Sequence, residues 1–420
     1  MNVLIVPCGT EIGLEINRSL FAVKGIDVYG ANSQGGYCET EFTNLILNIP
    51  LITDEIFITE IKKIIQDNNI EVIFPAHDDA ALKLKKYEND LNVKVITSSV
   101  ETNEICRSKS KTYNALKHVV KTPKVYIGKN DVDSYPVFIK PDVGQGSHGA
   151  KKITNEEELA KVDFGKYVVT EYLPGEEYTV DCISDKEGNL LYSSARVRET
   201  TKSGISTSST FVVDKVLDFE LFAQNINKAL NFKGAWFFQV KKDYDGNLTL
   251  LEVATRIAGS MSLSRVNGVN FSELSLYIHN DIDVEILSNG LSYSLERALN
   301  VRFKHNIKFE SVYVDFDDCI YFNDGVNYRL IGLLYKFINQ GKTVSLITRH
   351  DGNINLKLNE LRIKELFDEV IHIRDHSNKS EYISSKDAIF IDDSFVERKD
   401  VNTNCGIPCF SIDALDFFYE

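Results

Sequence analysis

The 420-residue sequence predicts a multidomain protein of mixed α/β and α+β class, on three observations. Short apolar strands alternate with helical periods over the first hundred residues, the pattern of a parallel sheet layered with helices. Longer strands joined by glycine-containing turns follow, the pattern of antiparallel sheet. A fresh apolar strand, VYVDFDD, then restarts the α/β alternation after residue 308. Length gives room for about two to four domains. A composition of 43% hydrophobic and 26% charged residues, with only 8 prolines, is that of packed domains.

In the opening layer the candidate strands are NVLIVP, DVYGAN, EVIFPA and VKVITS. Phe57, Ile61, Ile64 and Ile65 follow Asp54 at helical spacing, so an aspartate-started amphipathic helix is expected to cross over between two of them. The layer ends near Val100. Its first turn, PCGTEIG, has Gly9 and Gly13 without the GxGxxG spacing, which argues against a dinucleotide site. Between residues 101 and 300, SDKEGNL and DYDGNL read as hairpin turns. Beyond VYVDFDD, a helix carrying Leu330, Leu333, Leu334, Phe337 and Ile338 stops at Gly341 and leads into a second strand, TVSLIT. Residues 308–420 therefore read as a separate small parallel α/β domain.

Several function classes are disfavoured. Forty-seven basic against 61 acidic residues give a net charge of −14, which opposes a nonspecific grip on nucleic acid. The seven cysteines are odd in number and lack zinc spacing, as expected of reduced thiols in a cytoplasmic protein. There is no basic leader and no run of about 18 apolar residues, so neither export nor a membrane partner is expected.

The middle segment carries the first chemical constellation. YPVFIKPDVGQGSHGA sets Lys140 at a strand end before a loop with Gly144, Gly146, Ser147 and Gly149. Glycines let backbone N–H groups close on phosphate oxygens while lysine supplies countercharge. VVTEYLPGEEYTVD brackets a turn with Glu171 and Glu177, and Gln239 and Glu252 lie on two later strands. Oxygen-bearing side chains on neighbouring strands suit Mg²⁺ bridging phosphates. Singly, each of these residues also fits a solvated strand face.

Taken in order, these segments resemble the ATP-grasp superfamily, in particular its carbamoyl-phosphate-synthase-like carboxylate–amine ligases, over roughly residues 1–300. The resemblance implies a preATP-grasp domain over 1–100, an ATP-grasp domain over 101–300, ATP and Mg²⁺ as cofactors, and a carboxylate and an amine as substrates. It puts Lys140 and Lys109, with Lys111 as competitor, on the phosphates together with Gly146 and Ser147. Glu171 with the backbone of Tyr172 and Leu173 becomes the adenine hinge, and Glu177 the ribose contact. Arg196, Arg198 and Gly204, in RVRETTKSGIST, become neighbours of phosphate or substrate. Gln239 and Glu252 face the metal, and Arg256 meets the acceptor or acyl phosphate. The family's ExNxR is here Glu252, Val253, Ala254, Thr255, Arg256, and alanine has no oxygen for a metal. His77, Asp78 and Asp79, at the end of EVIFPA, are candidate substrate contacts, an acidic pair suited to an amine; HDD also reads as an aspartate-capped helix start.

The C-terminal segment carries the second constellation. Asp315 and Asp317 leave a buried strand two residues apart, Thr348 ends the next strand, Lys379 lies in DHSNKSEYI, and Asp392 and Asp393 end AIFIDD. A like-charged pair is costly without a cation between. This order resembles the haloacid dehalogenase-like phosphatases over residues 308–420. The resemblance implies Asp315 as nucleophile, Asp317 as general acid and base, Thr348 and Lys379 on the phosphoryl group, and Asp392 and Asp393 with Asp315 on Mg²⁺. Lys386 competes for the lysine role, and Asp318 and Cys319 stand where the family has glycine and threonine. The short intervals leave no room for a cap domain, and Arg349 and His350 are candidates for reading a leaving group, His350 more readily as loop capping. The expected whole is a bifunctional ligase and phosphatase acting on a related phosphorylated metabolite, with homo-oligomer formation left open. The alternatives are an ATP-grasp kinase opposed by its own phosphatase, and a nucleotide-binding regulator without turnover.

Overall fold

Five parallel strands open the chain, in the spatial order Asn44–Ile46, Asp27–Ala31, Asn2–Val6, Val72–Pro75, Lys94–Val95. Asn2–Val6 lies at the centre and its apolar residues are buried, as a run of that kind requires. The helix Phe57–Asn68 turns Phe57, Ile61, Ile64 and Ile65 inward. Asp54 does not cap it: the carboxylate accepts from the Leu51 amide and Ile56 occupies the cap position. Asn44–Ile46 is a strand that periodicity does not announce, three residues being too few to display a period.

The computed structural model describes the chain apart from residues 145, 147, 203–204, 213–217, 292, 299–300, 304, 323 and 420, and the side chains of residues 198, 201–202 and 205–206. It divides into two compact units, Met1–Ala298 and Leu299–Glu420. Among the described residues no helix is long and apolar enough to cross a membrane. All seven cysteines are free thiols.

The first unit is centred on an antiparallel sheet ordered Leu248–Ala254, Gly234–Lys242, Glu177–Ser184, Leu190–Lys202, Ile205–Phe211, Ser294–Glu296. The two expected hairpins turn at Gly188 and Gly246, whose φ of 87° and 82° lie in the left-handed region that glycine tolerates. Strand alternation gives this sheet two unlike faces. Tyr178, Val180, Cys182, Trp236, Phe238 and Val240 pack with the helix Phe219–Leu230, and the Phe232 and Trp236 rings stack at 4.0 Å. Glu177, Thr179, Asp181 and Gln239 alternate with that set, and Gln239 stands opposite both Thr179 and Glu252.

One β-bulge interrupts the ladder: Gln239 pairs Glu252 and Val240 pairs Leu250, leaving Leu251 without a partner residue. Farther along the polar face, Ile183, Ala235, Phe237 and Ala254 join Val3, Ile5 and Ile16 in one apolar cluster. The opening layer and the antiparallel sheet thus share a core. A smaller antiparallel sheet, Val125–Tyr126, Tyr167–Glu171, Val137–Pro141, Lys151–Ile153, completes the unit.

The second unit is a parallel sheet ordered Glu369–His372, Thr343–Thr348, Ser311–Val314, Ala388–Ile391, Cys409–Phe410, with its own apolar cores. The helix Tyr328–Asn339 buries Leu330, Leu333, Leu334 and Phe337, and Gly341 follows at φ 79°.

Candidate functional site

In the first unit the polar face meets the strand Val137–Pro141, whose Lys140 is buried. The Lys140 ammonium donates to the Leu251 carbonyl at 3.1 Å and lies 5.2 Å from the centre of the Tyr113 ring. Tyr113 donates its hydroxyl to the same carbonyl at 2.8 Å. The bulge at Leu251 therefore supplies the acceptor that holds the lysine. Burial pulls Lys140 down to about 8, Glu252 and Glu177 opposing and Lys109 adding to the drop. Lys109 is also buried and donates to the Gly144 carbonyl at 3.3 Å, whereas Lys111 is exposed. Gly146 and Gly149 take φ of 60° and 74°, a backbone that favours glycine; Ser147 lies outside the described residues.

The Glu171 carboxylate accepts from the Lys124 amide at 2.8 Å, Leu173 is buried, and the Lys152 ammonium sits 4.2 Å from the Tyr172 ring centre. Arg196 is not open to a ligand: it is buried and paired with Asp181 at 2.7 and 3.1 Å. A strand arginine on the polar face acquires its partner from the adjoining strand, which a reading of RVRETTKSGIST alone does not reveal. The Arg198 side chain and Gly204 lie outside the described residues. Ala254 is buried in the apolar cluster that contains Phe237, so hydrocarbon fills the place of the family's amide. The Thr179 hydroxyl is buried without a hydrogen-bond partner, beside Gln239 in the register. With Glu252 opposite Gln239, this row fits a hard cation and its water, because it offers oxygen donors only.

His77, not an aspartate, caps the helix Asp78–Lys86, Nδ1 accepting from the Asp79 amide at 3.1 Å. The acidic pair is corrected as an amine receptor, since both carboxylates are held by arginines. Arg256 spans Asp78 at 2.8 and 2.9 Å, and Arg107 spans Asp79 at 2.7 and 3.0 Å. Burial alone raises the Asp78 carboxyl, but Arg256 outweighs it and the group lies below its ordinary range. Burial lowers His77, with Asp78 and Asp79 opposing. Arg107 is a residue that sequence reading misses; its signal is the position two residues before Lys109.

In the second unit Asp315, Thr348 and Asp392 all stand at the C-terminal ends of adjacent parallel strands, where open α/β sheets place ligands. Lys379 is buried and donates to Asp315 at 2.5 Å and Asp392 at 2.7 Å. Lys386 instead donates to the Cys405 carbonyl at 2.9 Å. Burial pushes Asp315 up to about 7 against the pull of Lys379, and Asp392 adds to the push. His350 exceeds its expected capping role, its Nδ1 lying 2.9 Å from Asp317. The Thr348 hydroxyl accepts from the His350 amide at 3.1 Å, and Arg349 pairs with Glu397 at 3.1 Å.

Asp318 takes φ 57°, which explains why a glycine suits that position. Oxygens of Asp315 and Asp393 and the sulfur of Cys319 lie within 4.8 Å of one another, a set able to hold a divalent cation. Asp392 falls outside that set, being engaged by Lys379 and by the Ser394 amide at 2.8 Å. Between Asp317 and Thr348 the described residues form only the hairpin Tyr321–Phe322 with Gly325–Val326 and the helix Tyr328–Asn339.

The first unit has the ATP-grasp fold, as a partial family match and similar solved structures indicate. A family model described as "ATP-grasp in the biosynthetic pathway with Ter operon" matches residues 163–301. The biotin carboxylase domain of 2-oxoglutarate carboxylase from Hydrogenobacter thermophilus, in complex with MgADP, ADP and bicarbonate, is similar at TM-score 0.58 and 17% identity, over 70% of this chain and 72% of that one. An L-amino acid ligase from Bacillus licheniformis gives TM-score 0.54 at 20% identity, over 66% and 74% of the two chains. N5-carboxyaminoimidazole synthetase from Staphylococcus aureus, complexed with ADP, gives 0.54 at 16%, over 69% and 79%. No curated protein sequence matches the chain.

Proposed function

We propose that the chain is a bifunctional cytoplasmic enzyme, an ADP-forming ligase joining a small carboxylate to an amine, fused to a haloacid dehalogenase-like phosphatase. The observation that carries the ligase reading is the buried Lys140, held by the Leu251 carbonyl next to Glu252, which pairs with Gln239 and, through it, lines up with Thr179. The MgADP and ADP held by two of the similar structures support ATP as the nucleotide. Glu252 and Gln239 would hold Mg²⁺, which supplies countercharge to the phosphates. Lys140 and Lys109 draw the triphosphate in, Glu177 is suited to the ribose, and the hinge at Glu171, Tyr172 and Leu173 to adenine. The substrate carboxylate attacks the γ-phosphorus, ADP leaves, and the amine then displaces phosphate from the acyl phosphate. Arg256, aimed by Asp78, stabilises the charge on that intermediate.

For the second unit, the Asp315 carboxylate attacks the phosphorus of a phosphate ester while Asp317 protonates the departing oxygen; water, deprotonated by Asp317, then releases phosphate from the aspartyl phosphate. Asp315 and Asp393 would hold Mg²⁺ there, with Lys379 beside them. A second reading, nucleotide binding without turnover, is favoured by one observation, the hydrocarbon at Ala254. The test is a panel of amino acids and phosphosugars with ATP, following ADP release and product mass. Acceptor-dependent ADP formation with mass gain by condensation supports ligation, phosphate-ester formation identifies a kinase, and nucleotide binding without ADP release supports the second reading.

A further inference from the structure

Arg107 lies outside every role assigned above, yet its surroundings are those of a phosphate ligand. Asp79 takes Nε at 2.7 Å and Nη2 at 3.0 Å, a two-point hold that fixes the plane of the guanidinium. Nη1 donates to the Gly144 carbonyl at 3.1 Å, at the mouth of the glycine-rich loop. The Lys109 ammonium donates to that same carbonyl at 3.3 Å. Two cations thus converge on one backbone oxygen, and a guanidinium with five donors still has two to offer. Glu252 and Asp78 both act on Arg107 electrostatically, which places it toward the metal row and Arg256, the end of the cradle where phosphoryl transfer is proposed. A neutral carbonyl is a weak partner for two cations; a terminal phosphate oxygen is a far better one.

Resting on the ligase reading, we propose that Arg107, positioned by Asp79, is a second guanidinium at the phosphoryl-transfer end, donating to the terminal phosphate of the bound nucleoside triphosphate. Asp78 and Asp79 then form paired brackets, one for each arginine, and the anionic end of the substrate pair approaches here, not the ammonium.

The test uses the full-length protein with Mg²⁺ and compares, by titration calorimetry, ADP with a β,γ-methylene ATP analogue. Arg107→Ala is expected to weaken the analogue about 10- to 100-fold while ADP changes by less than about twofold. Asp79→Asn should move the same way by a smaller factor, because the guanidinium remains but is no longer held. Arg107→Lys, which keeps the charge and carries the test if Arg107→Ala does not fold, should also lose analogue affinity selectively. An equal loss for both nucleotides makes Arg107 a loop fastener only and overturns the proposal, as does no loss for either. If the unaltered protein binds neither nucleotide, the ligase reading itself fails and takes this proposal with it.

Discussion

Lys140 is the residue on which the proposed nucleotide site turns, and its environment makes it a pH-sensitive one. Burial brings it to about 8 from a usual value of 10.5. Below about 8 it is charged and attracts phosphate, so MgADP affinity should fall as pH rises through that value. Lys140→Arg, charged throughout, should flatten the profile; an unchanged profile in calorimetric titrations would remove Lys140 from the phosphates. The sign for stability is opposite. Because the folded-state value is depressed, the unfolded chain binds the extra proton between about 8 and 10.5, and the folded state gains with rising pH across that window. The gain approaches about 3 kcal/mol for 2.5 units of difference. Urea unfolding at pH 7 and pH 9.5 should show about 2 kcal/mol of that increment, the rest coming at higher pH, and Lys140→Met should lose it.

At the scale of elements, the antiparallel sheet works because its two faces differ. The buried Arg196–Asp181 pair stands on the polar face, and removing one partner strands the other charge away from water. Arg196→Ala should cost about 3–5 kcal/mol, and Arg196→Met with Asp181→Leu should recover most of it. Denaturant unfolding of the two variants checks this; a single variant as stable as the parent would mean that water reaches the pair. The same sheet marks how far sequence reads. Hairpins at Gly188 and Gly246 follow from local turn chemistry, and the placing of Gln239 and Glu252 on separate strands from their apolar surroundings; their direct pairing does not, because it depends on the bulge at Leu251. The commitments of Arg196, Asp78 and Asp79 do not, because their partners lie on other elements, 178 residues away for Arg256 and Asp78. Asp54 shows the same limit at short range, where the Leu51 amide takes the carboxylate that a helix start was expected to use.

At the scale of the whole molecule, each of two units with its own apolar core carries one of the two proposed sites. Sequence reading anticipates the restart of the parallel layer near residue 308 because strand, helix and Gly341 all have strong local signals. It leaves open which lysine joins Asp315, since Lys379 and Lys386 differ only in how the chain returns to the sheet. Substitutions in distinct sites are expected to act independently. Asp315→Asn should abolish phosphate release by several powers of ten and prevent trapping of a fluoroberyllate complex, while MgADP binding stays at the parental level. Retained phosphate release would end the assignment of Asp315 as nucleophile.

The bulge at Leu251 bears on how the protein tolerates changes in length. Leu250 and Glu252 already sit in consecutive register positions against Val240 and Gln239, so excising Leu251 would regularise the ladder without reversing either side chain. What would vanish is one carbonyl, the oxygen that both Lys140 and Tyr113 grip. A one-residue deletion here, ordinarily among the most disruptive of changes in a strand, should leave a folded protein that has lost its hold on nucleotide. In this sheet the surplus residue is the one that the proposed nucleotide site uses.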